Sequence, residues 1–228
     1  IVSRDWSSDV CSSDLEGGTE IERTAAIKAL VIQAQTDDKW ADPIITSFLR
    51  VLPGQLASPQ EAIIDGLLEL RKVKVSREEE IFESIQETLD SPYPSVRSKV
   101  VDIWTRFSLK SDAKTSDTIA VLFEMLSDDD KDVRYQTQES LSKILHTVPK
   151  VALPELKNAI GDDDWRVTYH SIVLLTEFAK KYPDPSVALA PEVIEAFNSG
   201  ERLKERAADC IGMLGLANPE AEIGRAHV

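Results

Sequence analysis

Apolar residues recur along this chain of 228 residues at a spacing that successive segments share. Counted from Val96, Val133, Val167 and Leu203, the apolar residues favour offsets 0, 4, 7, 8 and 11. At about 100° per residue these offsets lie on one face of an α-helix, whereas a half-buried strand would alternate apolar and polar residues. The pattern predicts a series of amphipathic helices, each with one buried face.

These helices form a repeat. Their anchor positions are separated by 36, 37, 37, 34 and 36 residues, at Arg23, Pro59, Val96, Val133, Val167 and Leu203. A second set of amphipathic runs precedes the anchors, with members ending at Leu52, Leu89, Leu126, Ile160 and Phe197. A period of this length is typical of stacked supersecondary units. The sequence therefore predicts pairs of helices, with the anchored helix second in each pair.

Short polar turns are predicted between the two helices of a pair. They include 90–94, 127–130, 161–164 and 198–200, which are rich in Asp, Ser, Asn, Pro and Gly. Asp side chains accept hydrogen bonds from the unpaired amides that open a helix. We therefore expect the acidic triplets 128–130 and 162–164 to cap helices. A cation site is the alternative, but the triplets lack the spaced acids, the glycine and the distal glutamate of a calcium loop.

The turns and the helix starts after them resemble the Asp-x-x-x-x-Val-Arg signature of HEAT repeats. Ser127 to Arg134 and Asp90 to Arg97 match it closely, whereas the next turn has its arginine one position early and Pro59 replaces an aliphatic anchor. The resemblance covers residues 16–221 in about five and a half units. It implies an all-α fold, a right-handed α-solenoid of stacked antiparallel helix pairs with a period of 34–37 residues. Members of the family mostly act as scaffolds, adaptors and transport receptors that bind partners along the second helices.

Both ends of the chain carry a segment of foreign character. Residues 9–15 can be encoded by a DNA whose reverse complement translates as residues 222–228, and that DNA resembles a sequencing-library adapter. We therefore expect non-native tails at 1–15 and 222–228, which are excluded from fold reasoning, and a repeat domain at 16–221 that is a fragment of a longer protein. A coincidental pair of polar tails is the alternative.

The net charge argues against nucleic acid as the direct ligand. The formal charge of −14 becomes −12 once the two tails are left out, and phosphate contacts need clustered Lys and Arg. A basic stripe on the second helices is the alternative, formed by Lys99, Arg106, Arg134, Lys143, Arg166, Lys204 and Arg206. The spacing of Asp102 with Arg106 and of Glu139 with Lys143 favours ordinary surface ion pairs instead.

The repeat region shows no pattern for catalysis, a metal or a cofactor. His146 and His170 have no second histidine or cysteine at ligand spacing, so we expect structural or surface roles for both. The motifs of dinucleotide, nucleotide and serine-hydrolase sites are absent from the sequence. Cys210 falls at a repeated apolar position, which predicts a small buried side chain. We expect no enzyme activity and no cofactor.

Two tyrosines are the candidate partner-binding residues. Positions two residues after each anchor lie about 200° around the helix from offset 0, and they are occupied by Ser98, Tyr135, Tyr169 and Glu205. Exposed tyrosine offers a large contact area with a polar tip, so Tyr135 and Tyr169 predict a binding surface. The alternative is that each ring packs along a neighbouring helix of its own chain. We expect Trp165, just before its helix, to cover the inter-helix turn.

The function predicted is a non-catalytic scaffold or adaptor for a protein or peptide partner. The alternative is a regulatory or accessory HEAT domain of an enzyme, such as a lyase-type HEAT protein or a regulatory subunit. No apolar run approaches the roughly 20 residues of a membrane-spanning helix, so membrane insertion is not expected. A single cysteine in 16–221 fits a reducing compartment, and we expect a cytoplasmic location.

Overall fold

The computed structural model describes residues 15–109 and 115–217, and every regular element in these two ranges is helical. The α-helices there are α1 (Glu20–Thr36), α2 (Ala41–Val51), α3 (Ala57–Leu70), α4 (Glu78–Glu87), α5 (Pro94–Ser108), α6 (Thr115–Glu124), α7 (Lys131–Thr147), α8 (Pro149–Ile160), α9 (Trp165–Ala179), α10 (Pro183–Val187), α11 (Ala190–Ser199) and α12 (Glu201–Ala217). Tight 3₁₀ turns extend α2, α4 and α6 at Leu52–Gly54, Thr88–Asp90 and Met125–Ser127.

The pairing of helices predicted from the sequence is confirmed. The second helices α1, α3, α5, α7, α9 and α12 contain the six anchors, and the first helices α2, α4, α6, α8 and α11 lie between them. The short helix α10 is an addition before α11. The fold is an all-α solenoid of helix pairs, as predicted.

The chain divides into two compact units, Ile1–Val100 and Val101–Val228. In the first unit, α1 packs on α3, and α2 contacts both. In the second unit, the second helices stack in the order α7, α9, α12 and the first helices in the order α6, α8, α11. Each unit therefore buries its apolar faces between successive pairs, which is the source of stability in α-solenoids.

The repeated apolar positions form the core of each unit. The anchors Val96, Val133, Val167 and Leu203 are all buried. The later offsets are buried too, with Ile103, Trp104, Leu141, Ile144, Leu174, Leu175, Phe178, Cys210 and Leu214. The thiol of Cys210 is free, and burial raises its pKa to about 11. The expected role of this cysteine as a small buried side chain is confirmed.

One type of hydrogen bond closes the turn of four helix pairs. The side chain that follows the anchor donates to a carbonyl oxygen of the turn before it: Gln60 to Leu52 (3.1 Å), Arg97 to Ser91 (2.7 Å), Arg134 to Asp128, and Thr168 to Asp162 (3.0 Å). The arginine of the HEAT-like signature thus binds the backbone. Gln60 and Thr168 do the same where the signature is broken, because the turn requires only a donor of sufficient reach.

The acidic triplets cap helices, as predicted. Asp130 and Asp164 are the N-caps of α7 and α9. The first residue of each triplet, Asp128 or Asp162, accepts a hydrogen bond within the turn. The carboxylates accept from backbone amides: Asp128 from Asp130 (2.8 Å), Asp130 from Asp132 (2.8 Å) and Val133 (3.3 Å), Asp162 from Asp164 (2.7 Å), and Asp164 from Arg166 (2.8 Å).

Replacement of Asp130 by alanine is expected to lower the free energy of unfolding by about 1 kcal/mol, because two amides of α7 lose their acceptor. The matched control is Asp129→Ala, since the Asp129 side chain is 97% exposed and its contact with Arg166 is long, at 3.8 Å. We expect it to change stability by less than about 0.5 kcal/mol. Urea denaturation of both variants checks the difference, and equal losses would contradict the capping role.

The predicted tails fall almost wholly outside the described residues. Residues 1–14 and 222–228 are not described, so the adapter origin of these segments stays a prediction. Leu15, the last residue of the predicted N-terminal tail, is buried in the first unit, and its carbonyl oxygen accepts a hydrogen bond from Gln55 Nε2 (3.1 Å).

Candidate partner-binding surface

Three aromatic residues lie on the outer face of the second helices in the second unit. They are Tyr135 on α7 and Trp165 and Tyr169 on α9, and together they are termed the aromatic ridge. Trp165 and Tyr169 are four residues apart, which places them on one side of α9. The N-caps of α7 and α9 fix the helix starts from which all three side chains project.

Tyr135 presents an uncovered ring. Its side chain is 63% exposed. The charge of Glu139, one helical turn further on, and a hydrogen bond to that carboxylate raise the pKa of the Tyr135 hydroxyl above its ordinary value. The ring remains accessible for contact.

Tyr169 is tied to the next repeat. Nε of Arg206, on α12, donates a hydrogen bond to the Tyr169 hydroxyl oxygen at 3.0 Å, and the guanidinium lies 5.8 Å from the ring centroid. The ring of His170 meets Tyr169 edge-on at 5.3 Å. The neighbouring helix covers part of this ring, so the two candidate tyrosines have different environments.

Trp165 forms a second pairing of the same kind. Its ring is 42% exposed and has the guanidinium of Arg202 at 5.0 Å and that of Arg166 at 6.0 Å. Arg202 and Arg206 are four residues apart on α12, which is the spacing of Trp165 and Tyr169 on α9. Each arginine therefore contacts one of the two rings. Each exposed cation–π contact contributes about 0.5–1 kcal/mol. This matched spacing on adjacent second helices is a signal that the sequence itself contains.

A groove of about 660 Å³ opens beside Trp165. It lies between the turn at 161–164, one side of α11 and the start of α12. The charged side chains of its walls are one basic residue, Arg202, and five acidic residues, Asp162, Asp163, Glu192, Glu195 and Glu201. Glu192 pairs with Lys157 at 3.0 Å. The sequence does not indicate the groove, because its walls come from separate elements that only packing brings together.

The basic residues of the second helices are mostly paired. The contacts are Lys99–Asp65 (2.8 Å), Arg106–Asp102 (2.9 Å), Arg166–Asp164 (3.2 Å), Lys204–Glu201, Arg206–Asp209 (3.7 Å), and Arg134 with the Asp128 carbonyl oxygen. The predicted pair of Asp102 with Arg106 is confirmed. Glu139 interacts instead with Tyr135. These contacts favour surface ion pairs over a basic stripe.

The first unit has an apolar stripe on α1. Ile21, Ala25, Ala29 and Ile32 are exposed at intervals of three or four residues. Counted from the anchors, Ile21 lies at the offset of Trp165, and Ala25 lies at the offset of Tyr135 and Tyr169. These outer positions thus carry aliphatic side chains on α1 and aromatic side chains on α7 and α9.

Both histidines take part in internal contacts. The ring of His146 lies 5.7 Å from that of Phe178 and 5.8 Å from that of Tyr182. Nδ1 of His170 is 2.6 Å from Oε1 of Gln138. Burial, and secondly the charge of Arg134, lower the pKa of His170 below its ordinary value. Within 15–109 and 115–217, no three His, Cys, Asp or Glu side chains are grouped to hold a metal ion.

A segment of the chain matches a known repeat family. Residues 81–176 match the family of HEAT repeats. No curated protein sequence matches the chain.

Over the part of the chain that the structure describes, no helix has the length and apolar character needed to cross a bilayer.

Solved structures of karyopherins have a similar fold. The structure of Kap121p is 16% identical, with a TM-score of 0.62 over 96% of this chain and 26% of Kap121p. That of Kap121p bound to the extreme C-terminus of the protein phosphatase Cdc14p is 14% identical, with a TM-score of 0.65 over 92% and 26%. Kap95p, in a structure with RanGDP, is 16% identical, with a TM-score of 0.60 over 93% and 31%. The chain spans less than a third of these proteins, and the likeness shows the fold.

Proposed function

We propose that this chain is a non-catalytic HEAT-type scaffold that binds a protein or peptide partner along the outer face of its second helices. The observation that carries the proposal is the aromatic ridge, above all the 63% exposed ring of Tyr135. Exposed aromatic rings supply large contact areas at little cost in side-chain entropy, which is why they are enriched at binding hot spots. The match of 81–176 to HEAT repeats supports the proposal.

The two tyrosines act together in this proposal. Tyr135 offers its ring face, and Tyr169 is held in place by Arg206, so that little freedom is lost when a partner covers it. An interface residue that is fixed before binding contributes more affinity because its ordering costs less. The karyopherins of similar fold include structures with bound proteins, which supports a protein as the class of partner.

Exchange of both Tyr135 and Tyr169 for alanine is expected to weaken partner binding by about 30-fold or more, the effect of losing a hot spot of about 2 kcal/mol. The melting temperature should fall by no more than a few degrees, because Tyr135 is exposed and Tyr169 loses only its surface contacts with Arg206. Affinity capture with quantitative mass spectrometry on the unaltered chain and the double variant identifies the partner. Titration of that partner then measures the affinity of each.

The control is Lys150→Ala, which alters an exposed residue on the first helix α8. It should retain the partner at full affinity, and the double variant should retain its melting temperature within a few degrees. A partner that binds all three proteins equally would contradict the assignment of the binding surface to the tyrosines.

A further inference from the structure

Two successive turns of the second unit have the same local geometry. In each turn the carboxylate of the first aspartate, Asp128 or Asp162, accepts a hydrogen bond from the backbone amide two residues later. In each, the residue after the anchor donates to the carbonyl oxygen of that aspartate. The turns 127–130 and 161–164 therefore correspond residue by residue, with Gly161 in the place of Ser127 and Asp163 in the place of Asp129.

The first of these turns binds a guanidinium group of the chain itself. Arg166, which directly precedes the anchor Val167, extends back over one repeat. Its Nη1 donates to the Ser127 carbonyl oxygen at 3.1 Å, and its Nη2 lies 3.8 Å from Oδ1 of Asp129. Nη1 also pairs with Asp164 of its own turn at 3.2 Å. The Ser127 carbonyl oxygen, which accepts a hydrogen bond, and the Asp129 carboxylate, which makes a longer ionic contact, are termed the acceptor pair.

The second turn presents the same two acceptors without a guanidinium. The residue equivalent to Arg166 is Arg202, directly before the anchor Leu203, but its guanidinium stacks on Trp165 at 5.0 Å. Among the side chains that the structure describes, none donates to the Gly161 carbonyl oxygen or pairs with Asp163. The groove of about 660 Å³ opens at this position, and both residues line it.

We propose that this groove binds an arginine side chain in a basic segment of a partner protein. The guanidinium takes the place between the Gly161 carbonyl oxygen and Asp163 that Arg166 takes one repeat earlier. Glu195 on the facing wall adds negative charge, whereas Glu201 is paired with Lys204. The ring of Trp165, with Arg202 stacked on it, closes one side. This inference rests on the proposed partner-binding function, but it does not use Tyr135.

The acceptor pair distinguishes arginine from other side chains. Arginine offers several donors in a fixed plane, whereas lysine is a compact point charge on a flexible stem. Citrulline has nearly the shape of arginine but carries no charge. The geometry therefore predicts that arginine binds best, lysine less well and citrulline not measurably.

The test uses the isotope-labelled chain and the peptide acetyl-Gly-Arg-Gly-amide, with its citrulline counterpart as the matched probe. We expect the arginine peptide to shift the amide signals of Gly161 and Asp163 and the indole signal of Trp165. Asp163→Asn should weaken this binding about three- to fivefold, as expected for one exposed ionic contact. Asp129→Asn, at the equivalent position where the turn already holds Arg166, should leave it unchanged.

Two further variants separate the possible outcomes. Arg202→Ala should retain peptide binding, whereas binding seen only in that variant would mean that Arg202 fills the site and would overturn the proposal. Tyr135→Ala should also retain it, so that failure of the ridge as a binding surface and failure of the groove can be told apart. Equal shifts with the citrulline peptide, or shifts confined to other residues, would overturn the proposal.

Discussion

Replacement of Phe178 by alanine is expected to lower the free energy of unfolding by about 3–5 kcal/mol, the largest effect of a single substitution that we predict. Phe178 is 1% exposed on α9. Its ring centroid lies 4.7 Å from that of Tyr182 and 5.7 Å from that of His146. Removal of the ring leaves a cavity beside these two side chains. His146 is held on α7 and Tyr182 at the N-cap of α10, so the two cannot both collapse into it.

Thermal and urea denaturation followed by circular dichroism measure this loss, and a decrease in Tm of roughly 10 °C is expected for a chain of this size. Phe178→Leu is the matched control, because it keeps most of the apolar volume and should cost less than about 1.5 kcal/mol. A loss below 1 kcal/mol for the alanine variant would show that Phe178 is not packed as described.

The fold was predictable because its determinants are local. The helical offsets of apolar residues depend on the geometry of a single helix, so all six anchors fall in second helices as expected. The helix α10 was not predicted, because five residues that include Pro183 and Pro185 are too few to show a helical period. The turn bonds of Gln60 and Thr168 were missed for another reason: the signature specifies arginine, whereas the turn needs only a donor near its carbonyl oxygen.

The candidate site was only partly predictable. The exposure of Tyr135 follows from its offset on α7, a property of one helix. The bond between Tyr169 and Arg206 joins residues 37 positions apart, and it depends on the register in which α12 packs on α9. That register is set by the shapes of buried side chains, which the pattern of apolar positions does not contain. The groove beside Trp165 depends on the same register.

A substitution at Gly66 tests the packing of the first unit. A Cβ atom at this position of α3 would lie 2.7 Å from Cγ2 of Val31 on α1 and 2.9 Å from Cε2 of Phe48 on α2. Both distances are far below van der Waals contact, and Phe48 is fully buried, so its ring cannot swing aside. Glycine is therefore required here for the close approach of three helices.

Gly66→Ala is expected to lower the free energy of unfolding by about 1–2 kcal/mol, because the cost of overpacking exceeds the gain of about 1 kcal/mol in helix propensity. The control is Gly212→Ala on α12, where an added Cβ meets no atom within 4 Å. That variant should gain about 0.5–1 kcal/mol, since only the propensity term operates. Urea denaturation of the two variants should give changes of opposite sign. Stabilisation by both would show that α1 and α3 do not approach each other as closely as the structure indicates.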